Sequence, residues 1–433
     1  MGVPDQPVRG VTGSRLATLL SLVLAGGGCD GGITRGSDGD PVAYLRAAAS
    51  RREALVASLV NPDNAYSALR LAHYASSDAN DWERLTPWNP RVAPVGVDEL
   101  DAPASPTTLP EDARALDLPD EATWDPSVDL TALGEEAFFR YPTQLAPPVT
   151  IARASAERYG LWRDPARGAG GLVRAEVPGG TVLALTCASC HADVIDGRLV
   201  PGVPSARFDL GRMIVDAGAP DAAQTASLLA WGPGRVDVTT ADASLPERIS
   251  DLRPTRWLTH LQYDATVRQR DVVALAIRIE TLIITSHGQT LRPPRIVALA
   301  LARYLWGLAE SLPAPAAPPT EVFTARCSGC HAGEGLTGAP RPLAEVGTDP
   351  TLGLSPDRGT GQYRVPSLRG VGLRPTLLHD GSLPDLTAMF DPARVGGDWT
   401  GGARGAGAVV GHTFGLDLSA TERATLVAFV AAL

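Results

Sequence analysis

Two ten-residue segments, LTCASCHADV beginning at Leu185 and ARCSGCHAGE beginning at Ala325, each set two cysteines three positions apart and follow the second directly with histidine. They use four of the five cysteines (Cys187, Cys190, Cys327, Cys330) and two of only seven histidines (His191, His331). Two thiols at this spacing suit a redox disulfide, half of a zinc site, or thioether bonds to the two vinyl groups of haem. The histidine decides between them. On the short turn and helix after the cysteines, its ring is placed to coordinate the iron of a haem held by both sulfurs. Histidine is rare enough here that finding it after both pairs by chance has odds of roughly 1 in 4,000. A four-cysteine zinc site spaces its pairs about 15–20 residues apart, whereas 136 residues separate Cys190 from Cys327. The motifs predict two covalently bound c-type haems, with His191 and His331 as proximal iron ligands.

At 433 residues the chain is long enough for two or three domains with cores of their own. Its net charge of −10 argues against nucleic acid as a partner, since phosphates demand a basic face. Arg9 and Arg15 precede an apolar run from Leu16 to Ala25, and Gly26, Gly27 and Gly28 lead into Cys29. This reads as an export signal over 1–29, with the periplasm or cell envelope as destination. Two fates stay open: lipidation of Cys29, as in the bacterial lipoprotein signals the segment resembles, giving a membrane tether, or ordinary cleavage. Export agrees with haem attachment, because a reducing cytosol is not where such thiols end up. No later segment reaches 18 uninterrupted apolar residues, so no transmembrane helix is predicted.

Apolar spacing predicts helices over PVAYLRAAASRREALVASLV, AYSALRLAHYA, LTALGEEAFFRY, RDVVALAIRIETLIIT and PPRIVALALARYLWGLAESL. Thr86 to Pro126 reads as an irregular wrapping segment. GGLVRAEVPGGTVLALT reads as a β-hairpin that turns at Pro178-Gly179-Gly180 and runs into the first motif. LPAPAAPP, from Leu312 to Pro319, is a stiff spacer. The final helix starts at Ser419, with Glu422 completing a capping box. The fold class expected is mainly α: two c-type cytochrome domains in tandem (127–312 and 320–433), a short β-hairpin before the first haem motif, and a helical and irregular N-terminal extension (30–126). The halves also echo each other. Ser250 to Val267 lies over Pro366 to Leu383 without a gap, matching Leu252, Arg253 and Asp264 to Leu368, Arg369 and Asp380.

The segment YRVPSLRGVGLRPTLLHDGSLPDLTAMF carries Val365-Pro366-Ser367-Leu368-Arg369 followed by His379-Asp380-Gly381. It resembles the C-terminal haem domain of bacterial di-haem cytochrome c peroxidases and their relatives, the methylamine-utilisation di-haem enzymes and the haem-containing rubber oxygenases. The ending GHTFGLDLSATERATLVAFVAAL looks most like the oxygenase-type branch. The resemblance implies an oxidoreductase in which one haem relays electrons to a reactive one. It also implies a small oxidant such as peroxide or dioxygen, a redox partner protein or quinol-derived electron donor, and a Ca2+ ion at the domain interface.

The group opposite each proximal histidine decides whether an iron carries electrons or admits a substrate. In single-domain c-type cytochromes that group lies on the loop before the C-terminal helix, the place held here by His412. Met389 is the rival, since peroxidases of this family use a methionine after the His-Asp-Gly motif. Theirs lies 14 residues beyond the histidine, where this chain has Ala393. His379 reads as a hydrogen-bonding residue behind the haem. For the first haem the candidates are His260, which the family's distal segment favours, His287 and Met213. Glu280 and Gln269 stand in roughly the order of the peroxidases' distal acid and amide, and Trp231 is a candidate tunnelling bridge. Three functions follow: a peroxidase-like oxidoreductase, a non-enzymatic envelope electron carrier, and a rubber-oxygenase-like enzyme using dioxygen.

Overall fold

A computed structural model describes residues 39–103, 107–218, 221–237 and 244–433; the export segment and Cys29 lie outside them. At the centre stands the helix Val272–Ser286, started by Asp271, whose carboxylate accepts the Ala274 amide at 2.8 Å. Its residues are apolar almost all round, and such a helix must be covered on every side. Arg295–Gly307 and Ala48–Ser58 pack against it, and Thr131–Arg140 packs on Arg295–Gly307. The first expected helix is split: Ala47 takes an extended conformation between Pro41–Arg46 and Ala48–Ser58.

The N-terminal extension is part of this core. Its Tyr44 and Tyr74 hydroxyls donate to Oε2 of Glu280 at 3.0 and 2.6 Å. Arg295 reaches Oε1 of Glu280 at 3.2 Å and Glu83 at 2.8 Å, and Arg51 pairs with Glu83 at 2.7 Å. Glu280 is fully buried. Burial and the Glu280 charge both push the Tyr44 and Tyr74 phenols well up, so both remain protonated donors. Glu280 thus neutralises buried arginine where the extension meets the central helix. Glu280→Gln should destabilise the protein by about 3–5 kcal/mol, the cost of breaking a buried ion pair from one side. Urea unfolding of the purified protein checks this.

The mainly-α expectation is overturned. The structure is 37% helical and 13% strand, with several small antiparallel sheets. The expected hairpin, Leu172–Val177 with Gly180–Leu185, is the middle of a four-stranded sheet flanked by Val92–Pro94 and Gln144–Leu145. A second hairpin, Ala192–Ile195 with Arg198–Pro201, follows the first motif at once, and further two-residue pairs recur along the chain. The reason is physical. Strands this short show no two-residue alternation, and a pairing such as Val92 with Ala175 is non-local. The 45 Gly and 37 Pro mark where the chain turns, not what pairs across the turn.

The weak internal echo is a repeat of backbone detail. Thr255–Trp257 and Val371–Leu373, both 3-10 turns, occupy the same place in the two copies. Asp251 Oδ1 accepts the Arg253 amide at 3.1 Å, and Ser367 Oγ accepts the Arg369 amide at 3.1 Å. Leu261 pairs with Val267 as Leu377 pairs with Leu383. Left-handed residues coincide as well: Gln262 with Leu378, and Ala265 with Gly381. The copies then meet reciprocally. Arg248 N donates to His379 O at 2.9 Å, and Arg364 N donates to Tyr263 O at 2.9 Å. Arg248 and Arg364 are equivalent in the repeat, as are Tyr263 and His379, so this contact has local two-fold symmetry. Among the described residues, no helix is long and apolar enough to cross a membrane.

Candidate functional site

The first motif is a one-turn helix, Cys187–His191, capped by Thr186. The hydroxyls of Thr186 and Ser189 both donate to Gly171 O, at 2.9 and 3.0 Å. Gly171 has a φ of 62°, and a Cβ there would come within 2.6 Å of Ser189 N, so the hairpin reaches the motif only through glycine. Trp162 donates its indole N–H to Ala188 O at 3.0 Å, and Gly202 N donates to His191 O at 2.7 Å. Nδ1 of His191 lies 2.9 Å from Ser250 O. A carbonyl only accepts, so Nδ1 carries the proton and Nε2 keeps its lone pair for a metal.

The second motif repeats the arrangement. Cys327 N closes the helix Glu321–Arg326 by donating to Phe323 O at 2.8 Å, and His331 N donates to Cys327 O at 2.9 Å. Nδ1 of His331 faces Leu336 O at 3.2 Å, with the Pro366 carbonyl also acting on the ring. Pro366 is the repeat partner of Ser250, so equivalent peptides stand behind the two histidines. Thr337 Oγ1 donates to Val365 O at 2.6 Å and Ser367 Oγ to Gly335 O at 2.5 Å, fixing the Val-Pro-Ser-Leu-Arg segment under the motif.

Cys327, Cys330 and His331 open onto a cavity of about 270 Å³ that His412 closes from the other side. The imidazole centres of His331 and His412 lie 6.5 Å apart. An ordinary metal–imidazole bond is about 2.0 Å, which puts two rings on opposite sides of one metal roughly 6.3 Å apart, centre to centre. This donor set fits an iron between the rings, with a macrocycle held by the two sulfurs. Burial pushes His191, His331 and His412 down to about 4, so all three are neutral at neutral pH, the form in which an imidazole can bind a metal. Burial pushes Cys187 and Cys190 up to about 12 and Cys327 to about 11. A dithiol oxidoreductase needs the opposite, a depressed thiolate. Among the described residues no group of three or more His, Cys, Asp or Glu side chains is placed to hold a metal ion, so the two motifs do not meet in a four-thiol zinc site.

His412 is held by a residue that sequence reasoning missed. Arg394 is fully buried and donates to Met389 O, Val409 O, Gly411 O and His412 O at 2.5–3.0 Å. His412 N donates to Val346 O at 2.6 Å. Gly411 has a φ of 80°, and a Cβ there would sit 2.2 Å from Thr348 N. Met389 is 8% exposed and packs in the hydrophobic core with Phe390, Leu418 and Leu426, on the short helix Leu386–Met389.

The other candidates disperse. Glu280 lies in the tyrosine–arginine network of the core. Gln269 is buried, its side-chain amide without hydrogen-bond partners, and its N–H donates to Thr259 O at 2.8 Å. His260 pairs with Arg268, and its Nδ1 lies 3.1 Å from Thr259 Oγ1. That hydroxyl donates to Gly338 O at 2.8 Å, which ties the His260 strand to the loop after the second motif. His287 Nε2 donates to Pro142 O at 3.1 Å and its ring meets Trp88 edge-on at 5.0 Å, a packing role at the end of the central helix. Met213 and Trp231 are buried in the cluster against which Cys190 packs. His379 stacks on Tyr363 at 4.6 Å. No family model, curated protein or solved structure matches the chain.

Proposed function

We propose that this chain is a di-haem c-type cytochrome of the cell envelope that passes single electrons between two covalently held haems, the second a six-coordinate relay. The facing imidazoles of His331 and His412, 6.5 Å apart across the cavity bordered by Cys327 and Cys330, carry this reading. Haem supplies a reversible one-electron couple when bound. The chain's own groups do the rest. Cys327 and Cys330 anchor the group, and His331, its Nδ1–H on a carbonyl, presents Nε2. His412, clamped by Arg394, occupies the position a substrate would need.

A second reading, oxidant chemistry of the peroxidase kind, is favoured by the inequality of the two sites. Among the described residues no second imidazole faces His191 as His412 faces His331. The acid proposed for that chemistry, Glu280, is committed to the core, so electron relay is the better supported of the two.

His412→Ala should convert the second haem from low-spin to high-spin, read by low-temperature EPR and the optical spectrum. Met389→Leu should leave both unchanged. A low-spin second haem in the His412 variant would remove the relay assignment. Two low-spin irons that ignore peroxide and oxygen would leave the carrier reading alone.

A further inference from the structure

We propose that Arg364 binds a carboxylate of the group held in the second cavity and, through Ser250, couples that site to His191 in the first. The inference rests on the haem reading, since covalent haem carries two propionate side chains.

Arg364 lines the cavity beside Cys327, Cys330 and His331. Its Nη2 donates to Ser250 Oγ at 3.3 Å, and Ser250 O accepts Nδ1–H of His191 at 2.9 Å. One serine therefore joins the proximal histidine of the first motif to a cation in the wall of the second. The bond to Ser250 crosses from one copy of the repeat to the other.

Arg364 has no ion-pair partner among the described residues, and the Asp264 carboxylate acts on it only through space. The guanidinium lies 4.8 Å from the Tyr263 ring centre, and its Nε is buried without an acceptor. Its buried neighbours differ: Arg253 and Arg374 share Asp251, at 2.8 and 3.5 Å, and Arg358 pairs with Glu247 and Asp264. The repeat partner Arg248 also has no ion pair among the described residues, but its Nε has an acceptor, Leu378 O at 3.2 Å. Burial makes the Arg364 cation costly to keep; Tyr263 and Asp264 offset part of that cost and the nearby Arg248 charge adds to it. An anion in the cavity offsets that cost, and a planar guanidinium suits a carboxylate in two-point contact. The other two cavity arginines are already paired, Arg341 with Glu345 at 2.6 Å and Arg326 with Asp417 at 2.8 Å.

The test uses the purified holoprotein and spectroelectrochemical titration. Arg364→Gln should keep two covalent haems and lower the potential of the second, because an uncompensated carboxylate favours the oxidised iron; Arg364→Lys should restore it. Ser250→Ala keeps the carbonyl behind His191 and removes only the hydroxyl. It should slow electron exchange between the haems several-fold after rapid photoreduction, while the spin states stay as they were. If Arg364→Gln does not fold, Ser250→Ala still decides the coupling. Two haems with unmoved potentials in Arg364→Gln, or an unchanged exchange rate in Ser250→Ala, overturn the inference and leave the haem reading intact. A parent protein without two covalent haems overturns both.

Discussion

Replacing either Cys327 or Cys330 with Ala is expected to leave one covalent haem per chain where the parent carries two, and replacing Cys187 or Cys190 should do the same for the other. The expectation follows from how the motifs are built. Each pair sits on a single helical turn with its histidine committed to a backbone carbonyl, at 2.9 Å in the first motif and 3.2 Å in the second. Cys187, Cys190 and Cys327 are protonated at neutral pH, since burial raises them to about 11–12. They are therefore inert toward disulfide exchange. A neutral thiol adds its S–H across a vinyl group with no oxidant and no leaving group. With one thiol lost the two-point hold is gone, and a lone thiol with its histidine is not expected to capture and retain the macrocycle. Pyridine haemochrome quantitation against protein concentration gives the count. Two haems per chain in all four variants, or zinc in place of iron by metal analysis, would end the assignment.

What could be read from the sequence was local and chemically rare. Cys-x-x-Cys-His announces itself because three uncommon side chains stand within five positions. That His412 lies near the second motif, in the wall of its cavity, could be expected from its place ahead of the Ser419 cap, which the structure shows with both halves of its box formed. The repeat was legible at only Leu252, Arg253 and Asp264. What recurs is the fold of the backbone, and Asp251 and Ser367 perform the same turn with different side chains. Arg394, Ser250 and Arg364 were invisible for a related reason. Arg394 and Ser250 act on or through main-chain carbonyls, which every residue has, and Arg364 acts through a lone serine hydroxyl, so no pattern of side chains marks them. The sheets were missed because a strand of two residues has no period. Glu280 misled through its order in the chain, although it lies inside an apolar helix where a carboxylate signals a buried ion pair as readily as a catalyst.

Arg394→Met is expected to produce the second largest effect, and to do so without touching either motif. Four carbonyls (Met389, Val409, Gly411 and His412) converge on one guanidinium, and the Val409 amide returns a bond of 2.7 Å to Arg394 O. Hydrogen bonds to a charged group contribute about 1.5–3 kcal/mol each. Burying the charge, which lowers the Arg394 pKa, cancels part of that. The net loss should be about 3–5 kcal/mol. The consequence at the site is more specific. His412 sits at a φ of 43°, a conformation that a histidine holds only when its surroundings enforce it. Without the clamp the loop relaxes, His412 withdraws, and a high-spin fraction appears at the second haem. Arg394→Lys keeps the charge but not the planar fork, so it should fall between parent and Met variant in both readouts. Urea midpoints measured beside low-temperature EPR separate the two effects. A Met variant as stable and as fully low-spin as the parent would show that the loop holds His412 without Arg394.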